Sequence, residues 1–317
     1  MNRIKNSITK LLLLIIINFI GICQISCRET RVDLDMNTYY KLPDNIDNIN
    51  SSVKIVLLIG QSNASGCSIV EYLKLNTKEE VFDRYKNGYK NVLINYCIDN
   101  HSFTSNGNFV NVNLNCGCGE GFFGPEVGFA DKVSNNYDEQ IIILKYTMSG
   151  YSLDFNWIKN DNPGAIYLGC KIFVTTYIEC LKENGIDVDF SWILWMQGES
   201  DHKNETANKY YNNQLKLIEL LRNDFIKYSK TNKLYFIDAG ISNSPYCEPG
   251  YPIINKSKEE ISKLSNENIY FSTIDLGLTT TFEPDYNPDL GHYDSTSCIK
   301  LGEKFGEEFL KTIYSQK

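Results

Sequence analysis

Residues 53–63 read Val53-Lys54-Ile55-Val56-Leu57-Leu58-Ile59-Gly60-Gln61-Ser62-Asn63, an apolar run that stops abruptly at a serine. The run 53–59 has strand length, and its near-continuous apolar character belongs to a strand covered on both faces. Comparable runs recur at 141–146, 190–196, 234–237 and 269–274. Between them, 125–133, 165–182, 206–228 and 258–264 place apolar residues at helical spacing, as in Ile166, Cys170, Phe173, Tyr177 and Leu181. A closing segment, 295–314, carries a helical stripe of Ile299, Leu301, Phe305, Phe309 and Leu310. Such alternation predicts an α/β fold whose central parallel sheet has helices on both faces. Ligands of these sheets lie beyond the carboxyl ends of the strands. Ser62, Gln197 and the stretch 146–153 each follow a strand, so all are expected at one rim. The Asn- and Gly-rich stretch 86–123 reads as an insertion or irregular hairpin beside that rim. No internal repeat and no second domain are evident.

The remaining boundaries come from composition. Arg3, Lys5 and Lys10 precede an apolar run over 11–22, which is short of the ~20 residues a membrane span requires. Residues 1–26 are therefore expected to be a signal peptide cleaved near Ser26. Lipidation of Cys27 is a second reading of the same segment. Residues 27–50 form a polar lead-in, and 51–317 the folded domain. A net charge of −8 and a pI near 5.1 offer no basic surface for a phosphate backbone, which argues against nucleic-acid partners. Beyond Cys23 and Cys27, eight cysteines remain: Cys67, Cys97, Cys116, Cys118, Cys170, Cys180, Cys247 and Cys298. An even set in an exported chain suggests disulfides, with Cys116 and Cys118 each reaching a distant partner. No Cys-x-x-Cys occurs and histidines are scarce, so no metal site and no cofactor are expected.

A serine hydroxyl needs a base to take its proton and a third group to orient that base. Only three histidines compete for the role: His101, His202 and His292. His292 lies in Asp289-Leu290-Gly291-His292, where a carboxylate three residues upstream can hold one ring nitrogen while the other faces Ser62. His202 follows Asp201 near the rim, and His101 sits in the Asn-rich insertion, where it is expected at the surface. Acyl transfer also needs donors for the developing oxyanion, each worth about 3–4 kcal/mol. Candidates are the Ser62 N–H, the N–H of Gly124 in Gly124-Pro125-Glu126, and the side-chain amide of Gln197. Glu199 and Asp201 are read as supports for Gln197 or the imidazole, or as structural salt-bridge partners. Asn63, Tyr146, Tyr151 and Trp157 are candidate substrate contacts, although aromatic residues at strand ends often belong to the core. An α/β-hydrolase is disfavoured: Ala64 replaces the last glycine of Gly-x-Ser-x-Gly, and Asp289 and His292 share one loop.

Together these blocks resemble the SGNH hydrolases, and within them the sialate O-acetylesterase and carbohydrate esterase family 6 branch. Gly60-Gln61-Ser62-Asn63 looks like that branch's nucleophile block and Phe123-Gly124-Pro125-Glu126 like its glycine block. Trp195-Met196-Gln197-Gly198-Glu199-Ser200-Asp201 looks like its third block, and Asp289-Leu290-Gly291-His292 like its terminal Asp-x-x-His. The stretch Lys145 to Leu153 is similar to the branch's Lys-Tyr-Ala-x-Gly-Gly-x-Ser-Leu, with Ser149 where glycine is usual. The likeness spans about residues 53–310. It implies a three-layer α/β/α, flavodoxin-like fold, metal-free removal of acetyl groups from sugars, and Gln197 in the place of the superfamily's asparagine. The expected function is thus a secreted carbohydrate O-acetylesterase acting through Ser62, His292 and Asp289. Alternatives are a lipase- or thioesterase-like enzyme on the same machinery, or a non-catalytic glycan-binding protein. Neither the particular sugar nor the oligomeric state is readable from the chain.

Overall fold

Ser52–Gly60 (β1) is the centre of the sheet because both its faces are apolar: from Val56 to Gly60 every residue is buried. In the computed structural model, which describes residues 40–280, 283 and 289–315, β1 pairs in parallel with Asp187–Met196 on one side and Ile141–Thr147 on the other. With Val92–Ile98 as β2, Ile141–Thr147 as β3, Asp187–Met196 as β4, Tyr235–Ala239 as β5 and Asn268–Phe271 as β6, the order is β6-β5-β4-β1-β3-β2. All these pairings are parallel; two short strands, Phe103–Thr104 and Val110–Asn111, add antiparallel to β2. Gly60 stands opposite both Met196 and Thr147, so β1, β3 and β4 end level with one another. That common end is the rim.

Alternation along the strands distributes side chains to two helical layers. On one face, Glu126–Ser134 (α2) packs against the C-terminal helix Ser295–Tyr314 (α6); Phe129 meets Phe309 with ring centroids 5.5 Å apart. On the other lie Ala165–Glu183 (α3), Tyr210–Phe225 (α4) and Tyr251–Ser262 (α5). Adjacent residues of β3 illustrate the division: Lys145 reaches Glu126 on α2, while the Tyr146 ring lies 5.6 Å from Phe173 on α3. A fully buried Leu, Ile or Phe contributes about 1.5–3 kcal/mol, and these strands are made largely of such residues. The fold is the expected α/β/α sandwich with a mostly parallel sheet.

Two expectations are corrected. The stretch 86–123 is not simply an insertion, because it contains β2, a member of the main sheet. Asn95 and Tyr96 interrupt its apolar run and hid it; Asn95 is nevertheless buried, donating to Gly107 O at 2.6 Å. Helix α5 begins at Tyr251 rather than 258, with Pro252 in its first turn, where a proline costs no hydrogen bond. The expected disulfides are not shown, since no two of the eight described cysteines are joined. The signal-peptide reading and Cys27 fall outside the described residues. Among those described, no helix is long and apolar enough to cross a membrane.

Candidate active site

Gly60 closes β1 with φ +145°, and a Cβ there would lie 1.9 Å from Met196 O; only glycine lets β1 and β4 meet at this turn. The chain then enters the short helix Ser62–Ser65 (α1), which presents Ser62 at the rim with 8 % of its surface accessible. Among the described residues, neither the Ser62 N–H nor its Oγ makes a hydrogen bond. Gln61 fastens the turn from beneath, its Oε1 accepting from Ser200 N at 3.1 Å.

His292 is delivered to this turn from the far end of the chain by Asn63. Asn63 Nδ2 donates to Gly291 O at 3.1 Å, and Asn63 Oδ1 accepts from Tyr293 N at 3.0 Å. The residue next to Ser62 therefore grips the backbone on both sides of His292. A third bond, Asn63 Nδ2 to Glu199 Oε1 at 2.6 Å, anchors Asn63 to the segment following β4. Asp289 then orients the imidazole: its Oδ2 lies 2.5 Å from His292 Nδ1, and its Oδ1 accepts from Gly291 N at 2.9 Å. Burial disfavours the charged imidazole, but the bond and the charge of Asp289 outweigh it, raising the His292 pKa above its ordinary value. The same contact holds Asp289 below the usual carboxylate range although burial opposes it.

Gly124 approaches from the opposite side. A Cβ on Gly66 would lie 2.5 Å from Gly124 Cα, so two glycines in contact bring the glycine block against the end of α1. The Gly124 N–H donates to Glu126 Oε1 at 2.9 Å, and Glu126 Oε2 receives Lys145 Nζ at 2.7 Å. Lys145 also donates to Cys116 O at 2.8 Å. Both charged side chains have no accessible surface, so the pair lies wholly inside the protein beneath the rim.

Several sequence-derived roles do not match these positions. The Gln197 amide is not directed at an oxyanion: Nε2 donates to Asp201 Oδ2 at 2.6 Å and to Tyr151 O at 3.3 Å, while Oε1 accepts from Tyr210 Oη at 3.0 Å. Glu199 and Asp201 form no salt bridge among the described residues. Asp201 holds the backbone of Leu153 and Asp154 as well as Gln197, and burial pushes its carboxyl up to about 6. Asn63 is a fastening residue, fully engaged and buried, rather than a substrate contact. Tyr146 and Trp157 are core side chains, 3 % and 0 % accessible, and Trp157 packs edge-on against Trp195. Tyr151 remains half-buried at the rim. His202 Nδ1 contacts Glu199 O at 2.8 Å, and His101 is exposed and stacks on Tyr40. The Glu126–Lys145 pair and the Asn63 latch were missed. Glu126 sits in a recognisable block, but Asn63 and its partners lie 136 to 230 positions apart, and no local signal joins them.

A serine at the end of the central strand, with the loop that carries an Asp–His pair fastened to the residue that follows it, suits a serine ester hydrolase on an α/β/α scaffold. The chain matches the family described as carbohydrate esterase, sialic acid-specific acetylesterase, over residues 52–311, and it belongs to that family. It is similar in fold to a protein from Arabidopsis thaliana at 18 % identity, covering 81 % of this chain and 98 % of that one, with a TM-score of 0.57. The structure of NanS is similar at 12 % identity, covering 85 % and 99 % of the two chains, also with a TM-score of 0.57. No curated protein matches the sequence.

Proposed function

We propose that this acetylesterase is exported and removes acetyl groups from sugar hydroxyls through a covalent acetyl-enzyme. Ser62 Oγ attacks the acetyl carbonyl as His292 Nε2 accepts its proton, with Asp289 on Nδ1 stabilising the imidazolium. The Ser62 N–H, which has no hydrogen-bond partner among the described residues, stabilises the oxyanion. His292 returns the proton to the departing sugar oxygen, and water then hydrolyses the acetyl-enzyme by the same steps in reverse roles. Gly124 and Gln197 have their donors engaged within the protein, so we assign them to building the rim. The acetyl group occupies the space between Ser62 and the Gly66–Gly124 contact, and Tyr151 meets the sugar. The observation that supports this reading is the grip of Asn63 on Gly291 and Tyr293, which ties the loop of His292 to the residue next to Ser62.

Chain length tests the acyl preference. On p-nitrophenyl esters, kcat/KM should be greatest for acetate and fall at least about tenfold by hexanoate, as expected of an acyl site that accepts a methyl group and not a longer chain. A rate that climbs with chain length would favour the lipase-like alternative. Parallel assays on acetylated sialic acid and acetylated xylan then identify the sugar.

The pH profile tests the base. His292 must be neutral to accept a proton, and its pKa is raised, so kcat/KM should fall as pH drops through a value above that of an ordinary histidine. In Asp289→Asn the raising charge is gone and burial dominates. The acid limb should therefore move to lower pH while the plateau falls by about 10²–10⁴-fold. An acid limb unmoved by this substitution would remove Asp289 from the catalytic set.

A further inference from the structure

Six of the eight described cysteines are buried; Cys67 and Cys118 alone are partly accessible. These two also meet each other, their Sγ atoms 2.9 Å apart although 51 positions separate them. A disulfide spans about 2.05 Å, so closure asks for less than ~1 Å of sulfur movement. The backbone around them is already joined. Cys118 N donates to Gly66 O at 3.0 Å, and Ser68 pairs with Phe123 in a short antiparallel ladder. The contact with Cys67 foremost, then the charges of His292 and Lys145, lower the pKa of the Cys118 thiol against the opposing effects of burial and Asp99. Accessibility, proximity and thiolate character are the properties of an oxidisable pair.

We propose that Cys67 and Cys118 are a dithiol that closes to a disulfide and clamps the turn bearing Ser62 to the segment bearing Gly124. Formation of the bond is independent of the esterase reading; its effect on turnover rests on that reading. The oxidant is a small-molecule disulfide. The Cys118 thiolate attacks one of its sulfurs and expels a thiolate, leaving a mixed disulfide. The Cys67 thiolate then attacks Cys118 Sγ and expels the second thiolate. The two cysteines lose two electrons and two protons in all, and the oxidant is reduced to two thiols.

The full chain, incubated with glutathione disulfide, denatured in iodoacetamide and mapped without reductant, should yield the Cys67 and Cys118 peptides joined and two hydrogens lighter than their sum. The six buried cysteines should appear alkylated. Recovery of Cys67 and Cys118 both alkylated, or of either joined to a different cysteine, would overturn the proposal. In Cys67→Ser the reaction should stop at a glutathione adduct on Cys118, and an unmodified Cys118 there would remove it as the attacking thiol. The oxidised wild type should melt about 5 °C above the reduced form; identical melting would leave no clamp. Acetate release is read separately. A joined pair without hydrolysis counts against the esterase assignment alone, and hydrolysis without a joined pair counts against the clamp alone.

Discussion

Ser62→Ala should lower acetate release from acetylated substrates by about 10⁴-fold or more while leaving the folded protein intact. Both halves of the expectation follow from the same geometry. The Ser62 Oγ makes no hydrogen bond among the described residues, so removing this single atom breaks none. Stability should therefore stay within about 0.5 kcal/mol of wild type in urea unfolding. Activity falls because the proposed nucleophile is gone, and the residual rate then reflects binding and the N–H of residue 62. A pre-steady-state burst of p-nitrophenol, expected if deacetylation is slower than acetylation, should vanish with it. Hydrolysis persisting near the wild-type rate in this variant would remove the serine from the mechanism. Sugar binding unchanged with no turnover in either form would instead indicate a glycan-binding protein.

Lys145→Met should cost about 3–5 kcal/mol, the largest stability loss expected for one substitution near the site. Lys145 and Glu126 are both without accessible surface and lie 2.7 Å apart. Methionine replaces the lysine stem but leaves the Glu126 carboxylate buried with no cation beside it. The double variant Glu126→Gln, Lys145→Met removes the stranded charge, and the Gln side-chain oxygen still accepts from Gly124 N. It should regain most of the lost stability, because exchanging a whole buried ion pair for neutral groups is often close to neutral. A double-mutant cycle in urea measures the recovery. If the double variant is no more stable than the single, the pair does not act as a unit. Activity offers a second readout: the glycine block rests on Glu126, so Lys145→Met should also weaken turnover in molecules that remain folded.

Much of this arrangement was legible along the chain, for reasons that differ from element to element. Strand β1 is a dense apolar run ended by glycine, and a buried parallel strand leaves that mark directly. Helix α6 was read over the residues it occupies because its apolar stripe is long and regular. Asp289 and His292 share one loop, and their pairing over three residues is a local matter. Strand β2 was hidden because Asn95 and Tyr96 break its apolar run, and the buried partner that Asn95 finds is one only packing supplies. Tyr146 and Trp157 misled for the converse reason. An aromatic ring at a strand end can face either substrate or core, and the decision belongs to the helix on that side, here α3 for Tyr146. Gln197 carries the residue type an oxyanion hole uses, yet Asp201 four positions later and Tyr210 on α4 engage its amide completely.

By itself, the order of apolar runs and their punctuation determined the layered α/β architecture, the serine at the end of the central strand and the pairing of Asp289 with His292. These follow from periodicity and from chemistry confined to a few neighbouring residues. Tertiary structure decided which donors remain unengaged, which aromatics face the core, and how residue 63 holds the loop of residue 292. Hydrogen bonds between segments more than a hundred residues apart depend on how the layers pack, and the linear pattern carries no mark of them.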